Sequence, residues 1–149
     1  MARLSRAWRT WRRLSRAQRR LLMRAWLLLP LVVVRLRLLG FGRTQAALLG
    51  RAAAPAAHDL AAAQATARLL LSAARWSPLP ASCLPRALVL ARLLRDQGLV
   101  AELRLGVARP DDRFAAHAWV EHGGVPLAEA ASVEARYAVF DKLFLAEER

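Results

Sequence analysis

Apolar positions change their period along this chain. In residues 1–24, Leu4, Trp8, Trp11, Leu14, Ala17 and Leu21 recur every three or four positions with arginines between them, which predicts an amphipathic helix with a basic face. The run AWLLLPLVVV, residues 25–34, carries no charge and is flanked by Arg24, Arg35 and Arg37. Ten residues around a central Pro30 fall short of the roughly 20 that a bilayer-crossing helix needs. The pair Arg12-Arg13 is not closely followed by an apolar run, and no small-residue cleavage site directly follows residues 25–34, so a targeting signal is not expected. The expectation is helices that pack on the rest of the domain, on a partner or on a membrane surface.

Residues 44–54 read as a loop or short helix. Pro55 suits a first helical turn, and Leu60, Ala63, Ala67, Leu70 and Ala74 line one face of an alanine-rich helix reaching about Trp76. Ser77-Pro78-Leu79-Pro80 ends it. CLPRALVLARLLRDQG predicts a helix from Cys83, with Ser82 as its cap, Gly98 as its stop and Leu84, Leu88, Ala91 and Leu94 as its buried stripe. In residues 99–107 the period drops to two: Ala101, Leu103, Leu105 and Val107 share one face, Glu102 and Arg104 the other. Phe114 to Glu121 predicts a second strand and Val125 to Glu129 a third. Helices followed by an antiparallel meander define an α+β fold.

A length of 149 residues suits one domain with a sizeable core. The net charge of +13 is unevenly spread. Residues 1–43 hold twelve arginines and no acid (+12), while residues 44–149 hold twelve basic groups against eleven acids (+1). The chain therefore divides by composition into a basic, apolar helical segment, 1–43, and a nearly neutral domain, 44–149. One cysteine excludes an intrachain disulfide. No internal repeat and no glycine-rich phosphate loop is present, and no metal or cofactor is expected.

That cysteine, Cys83, opens a predicted helix, where free backbone N–H groups and the positive end of the helix dipole favour a thiolate nucleophile. His117 lies mid-strand in RFAAHAWVEHGG. The other histidines make controls: His122 adjoins the turn and is expected in solvent, and His58 sits near a helix start beside Asp59. Glu129 is the candidate to orient an imidazole. A two-residue turn at Gly123-Gly124 would pair 117 with 130, leaving Glu129 on the opposite face from His117. A three-residue loop, 122–124, would pair 121 with 125 and set Glu129 directly across from His117, with Cβ atoms about 5 Å apart. The three-residue loop is the expectation.

CLPRALVLARLLRDQGLVAELRLGV followed by FAAHAWVEHGGVPLAEA resembles the leader peptidases of lasso-peptide biosynthesis, the protease type of the maturation B protein within the transglutaminase-like superfamily. The resemblance covers roughly residues 55–143 and includes the Arg-Tyr-x-x-Phe-Asp tail. It implies a papain-like arrangement, a catalytic helix packed on a small antiparallel sheet, here with additional N-terminal helices. It implies a Cys83-His117-Glu129 triad, although the family's third position is commonly aspartate and glutamate adds a methylene. The implied reaction is hydrolysis releasing the leader from a ribosomally made precursor peptide, before a separate ATP-dependent cyclase acts. Leader recognition in that family uses a small winged-helix-like domain, and residues 1–43 look unlike it. The chain thus resembles the split form, which works with a separate recognition protein. Residues 1–43 become a candidate docking surface for that protein, the precursor or the cyclase. The implied location is cytoplasmic, and peripheral membrane contact through residues 1–43 is compatible with it.

Two other classes fit parts of the pattern. A transglutaminase-like acyltransferase would pass the same thioester to an amine. An arginine-rich nucleic-acid module would use the N-terminal arginines with Trp8, Trp11 and Trp26. Nucleic acid is not the expected partner, because the excess charge ends where the enzyme-like region begins.

Overall fold

The computed structural model describes residues 11–50, 57–108, 113–128 and 137–139. Among the described residues, the helices α1 (Arg16–Leu49), α2 (Leu60–Arg75) and α3 (Cys83–Asp96) precede the strands β1 (Glu102–Ala108), β2 (Ala115–His122), β3 (Val125–Leu127) and β4 (Ala138–Val139). The sheet is antiparallel in the order β3-β2-β1-β4, so the fold is α+β, with helices packed on a small sheet.

The first helix is longer than its apolar run. It starts at a capping box in which the Ser15 side chain accepts from the Gln18 N–H and the Gln18 side chain accepts from the Ser15 N–H. Helical geometry breaks at Gly40, whose φ of 76° suits glycine, and the chain resumes to Leu49. The helix thus runs through the composition break at 43/44. Its 34 residues are long and apolar enough to cross a membrane, where the ten-residue run alone fell short. One face of α1 is nevertheless built into the core: Ala25, Leu29, Val32 and Val33 are buried there. Arg24 pairs with Asp96 of α3, and the Trp26 indole N–H donates to the Trp76 carbonyl at the end of α2.

The far end of α1 is satisfied from elsewhere in the chain. Its last carbonyls have no partners within the helix. Arg92 donates to the Leu48 carbonyl (3.2 Å) and Arg95 to the Leu49 carbonyl (2.7 Å), placing two cations of α3 at the negative end of the α1 dipole.

The second helix starts at Leu60, where the Asp59 carboxylate accepts from the Ala62 N–H (3.0 Å); Pro55, the expected opening, lies outside the described residues. The third starts at Cys83, as its stripe predicted. Ser82 holds the extended N-cap conformation, but its hydroxyl makes no capping hydrogen bond. Pro85, Ala87, Leu88, Val89, Leu90, Ala91, Leu93 and Leu94 are all buried, so α3 is covered nearly all round rather than along one stripe.

The β2–β3 hairpin departs from expectation. His122 pairs with Val125, Glu121 with Pro126 and Val120 with Leu127, so the loop is the two-residue turn. Gly123 (φ 58°) and Gly124 (φ 78°) supply the two positive φ angles that such a turn requires, and its twist matches that of the strands. The turn keeps His122 inside β2, where it is buried rather than solvated. Its Nδ1–H donates to the Val100 carbonyl (2.7 Å), its Nε2 is buried without a partner, and its ring lies 5.5 Å from that of His58.

If α1 belongs to the core, its two faces should differ in stability cost. Leu29→Ala, at a fully buried site, should destabilise the protein by about 2–5 kcal/mol in a urea titration. Leu38→Ala, 76% exposed, should change it by no more than about 0.5 kcal/mol. Equal, small effects would mean that α1 is only loosely attached.

Candidate functional site

Cys83 is the first residue of α3, half-buried and free of any disulfide. Three elements meet there. Leu70 and Leu71 of α2, Arg86 of α3, Ala118 and Val120 of β2, and Leu127 at the end of β3 line a small, mostly apolar pocket with Cys83. Arg86, one turn along, donates through Nε to the Ser82 carbonyl (3.2 Å) and so brings a guanidinium to the helix start. With no side chain capping the helix, the first-turn N–H groups beside Cys83 are natural donors to an anionic oxygen.

His117 occupies the other side of the sheet. Ala118 and Val120 join the core that contains the buried residues of α3, so alternation along β2 sends His117, Trp119 and Glu121 to the opposite face. Opposite His117 on β1 is Gly106. The His117 ring lies 5.2 Å from the Tyr137 ring and 6.0 Å from that of Trp119, at shallow interplanar angles of 29° and 19°. A Cβ on Gly106 would stand 2.9 Å from the Tyr137 Cβ and 3.0 Å from the Trp119 ring, so glycine is what lets these groups close over β1. Cys83 and His117 are therefore associated through β2, whose next two residues, Ala118 and Trp119, both line the Cys83 pocket.

The same face holds a polar network. The buried Glu121 carboxylate accepts from the Trp119 indole N–H (2.8 Å) and from Arg104 Nε (3.0 Å), and Arg104 also reaches Glu102 (3.0 Å). It anchors Trp119, the ring beside His117. Sequence reasoning passed over Glu121 and Tyr137. The period-two spacing of His117, Trp119 and Glu121 was the available signal for the first; for Tyr137, only its place in the family-like tail was available.

Glu129 lies outside the described residues. The three-residue register that would have set it across from His117 is not the one adopted. Moreover β3 ends at Leu127, and Ala128 takes a left-handed φ of 60°, so strand alternation no longer fixes which face residue 129 joins. Among the described residues, no group of three or more His, Cys, Asp or Glu side chains could hold a metal ion.

The sequence pattern of the transglutaminase-like superfamily matches residues 25–141, a stretch that includes the core half of α1, all of α2 and α3, and all four strands. No curated protein and no solved structure matches the chain.

The far-face cluster should be sensitive to its smallest and its most buried polar member. Gly106→Ala should cost about 1–3 kcal/mol through forced displacement of Tyr137 or Trp119. Glu121→Ala should cost about 2–4 kcal/mol, because it strands the Trp119 N–H and removes the buried one of Arg104's carboxylate partners. Chemical denaturation measures both, and near-ultraviolet circular dichroism should show the altered Trp119 environment. A neutral Glu121→Ala would mean that the network contributes nothing.

Proposed function

The chain belongs to the transglutaminase-like superfamily, and from that premise we propose that it is a cysteine peptidase that removes the leader from a ribosomally made precursor peptide of the lasso type. The observation that carries the proposal is the placement of Cys83, the first residue of a buried helix, at a pocket between α2, α3 and the sheet. The superfamily supports cysteine hydrolase or acyltransferase chemistry; leader removal rests on the resemblance of the cysteine and histidine blocks to the lasso peptidases.

The proposed cycle starts with Cys83 Sγ attacking the carbonyl carbon at the end of the leader. The thiol proton passes to His117, and the tetrahedral oxyanion is held by the Cys83 backbone N–H. Collapse breaks the C–N bond, and the imidazolium gives its proton to the departing amine. Water then hydrolyses the thioester, returning the thiol and freeing the leader carboxylate. Glu129 is proposed to orient the imidazole. The separate recognition protein of the split form would present the leader, and the cyclase would act on the freed amino terminus.

His117 is the demanding step. Its ring stacks on Tyr137, and the proposed proton exchange requires the imidazole to reach Cys83. This placement favours a second reading, in which the chain retains the fold with Cys83 as a packed thiol and acts by binding.

Mass spectrometry of a neighbouring-gene precursor, incubated with the protein and its recognition partner, decides between them. The peptidase should yield leader and core fragments whose masses sum to precursor plus one water. Cys83→Ala should abolish the product, and His117→Ala should slow it by about a hundredfold or more. Full activity in His117→Ala would place the base elsewhere, and full activity in Cys83→Ala would overturn the peptidase reading. An amide product in place of the acid would establish acyl transfer.

A further inference from the structure

The first helix has two apolar faces. At about 100° per residue, Ala25, Leu29, Val32 and Leu36 form the stripe that meets α2 and α3, and Leu27, Leu31, Val34 and Leu38 form a second stripe on the opposite side. The second stripe lies open: Leu27 is 58% exposed, Leu31 53% and Leu38 76%, with Val34 also exposed and Met23 exposed beside them. Only 22% of the most apolar 18-residue window of this helix is buried.

The charges are arranged around that open stripe. On the helix circumference Arg24 and Arg35 fall along one border and Arg37 along the other, while Arg16 and Arg20 continue the stripe's line toward the helix start. Residues 1–43 contain no acid at all, so the positive charge of the molecule is concentrated on the segment bearing the exposed leucines. Trp26 sits between the two apolar faces, tied by its indole N–H to the Trp76 carbonyl, and Trp76 is itself 53% exposed.

We propose that the outer face of α1 docks onto an anionic lipid bilayer surface, with the helix lying in the plane of the interface. The open leucines enter the acyl boundary, Arg35 and Arg37 reach outward to lipid phosphates while Arg24 stays paired with Asp96, and the tryptophans lie at headgroup depth. The charge pattern selects this occupant. Arginines along both borders of a continuous apolar stripe, with no acid in the segment, complement a diffuse sheet of negative charge at one depth. Crossing the bilayer is a different matter: the inner stripe is committed to the core, so the helix cannot enter the membrane fully without unpacking from α2 and α3. The inference is independent of the chemistry at Cys83.

Vesicle flotation of the full chain tests it, using phosphatidylcholine vesicles with and without phosphatidylglycerol, at low and high salt. The protein should float with the anionic vesicles, less with the neutral ones, and release as salt rises. A double variant, Leu31→Glu with Leu38→Glu, changes exposed positions only and should lower partitioning at least about tenfold at an unchanged urea midpoint. Arg35→Gln should lower it by about fivefold. Absence of flotation with anionic vesicles, or equal flotation of the double variant, overturns the proposal. Sedimentation as a dimer that the double variant abolishes, with no flotation, would assign the stripe to a second copy of the chain.

Discussion

The burial of α3 on nearly every side is the constraint on which the other elements depend. Eight of its fourteen residues are buried, so water cannot take any side of the helix through its middle turns. It therefore needs two layers: α1 and α2 on one side, β1 and β2 on the other. That sandwich fixes the position of Cys83 without any interaction of the thiol itself, because the first residue of a helix held on both sides has little freedom to move. It also explains why the charged side chains of α3 gather toward its C-terminal end. Arg92 and Arg95 emerge where α1 ends, and they satisfy that helix's last carbonyls while Asp96 holds Arg24. The helix that supplies the candidate nucleophile is thus also the C-terminal cap of α1.

The sheet divides the chemistry between its faces. Towards α3 it presents Leu103, Leu105, Ala118, Val120 and Leu127, an apolar floor. Away from α3 it presents His117, Trp119 and Glu121, with Arg104 and Tyr137 around them. A period-two strand forces this division: moving His117 to the other face by register would also bring Trp119 and Glu121 and expel Ala118 and Val120 from the core. The Cys83–His117 question is therefore one of local geometry near the start of β2, not of sheet register.

What was legible in the sequence followed periodicity and local side-chain chemistry. The start of α3 at Cys83, the strands around Leu103 and Trp119 and the α+β order all come from patterns a few residues long. The hairpin loop was misjudged because Gly123-Gly124 satisfies either loop: both glycines accept positive φ, and the choice was decided by whether His122 is worth keeping in the strand. Its hydrogen bond to the Val100 carbonyl and its packing against His58 keep it there, and neither is visible in the neighbouring residues. The arginine cap on α1 escaped for the same reason, its partners lying more than forty positions apart. Glu129 rested on a register the protein does not use, so its assignment now rests on the family resemblance alone.

The charge break at residue 43 looks like a boundary between an appendage and a domain, yet the packing makes α1 a wall of the core. Removing residues 1–43 would expose the surfaces of α2 and α3 that Ala25, Leu29, Val32 and Val33 cover, and any loss of activity could follow from unfolding alone. Truncation therefore cannot separate docking from stability in this protein. The core contacts of α1 and its exposed stripe lie on opposite faces of one helix, and only substitutions confined to the outer stripe test the proposed docking without disturbing the core. The same geometry accounts for the unusual composition. A helix apolar on two opposed sides leaves only the two narrow borders between them for charge, together with the polar turns at its start. In this chain those positions carry arginine, whose long stem covers apolar surface while its head stays hydrated.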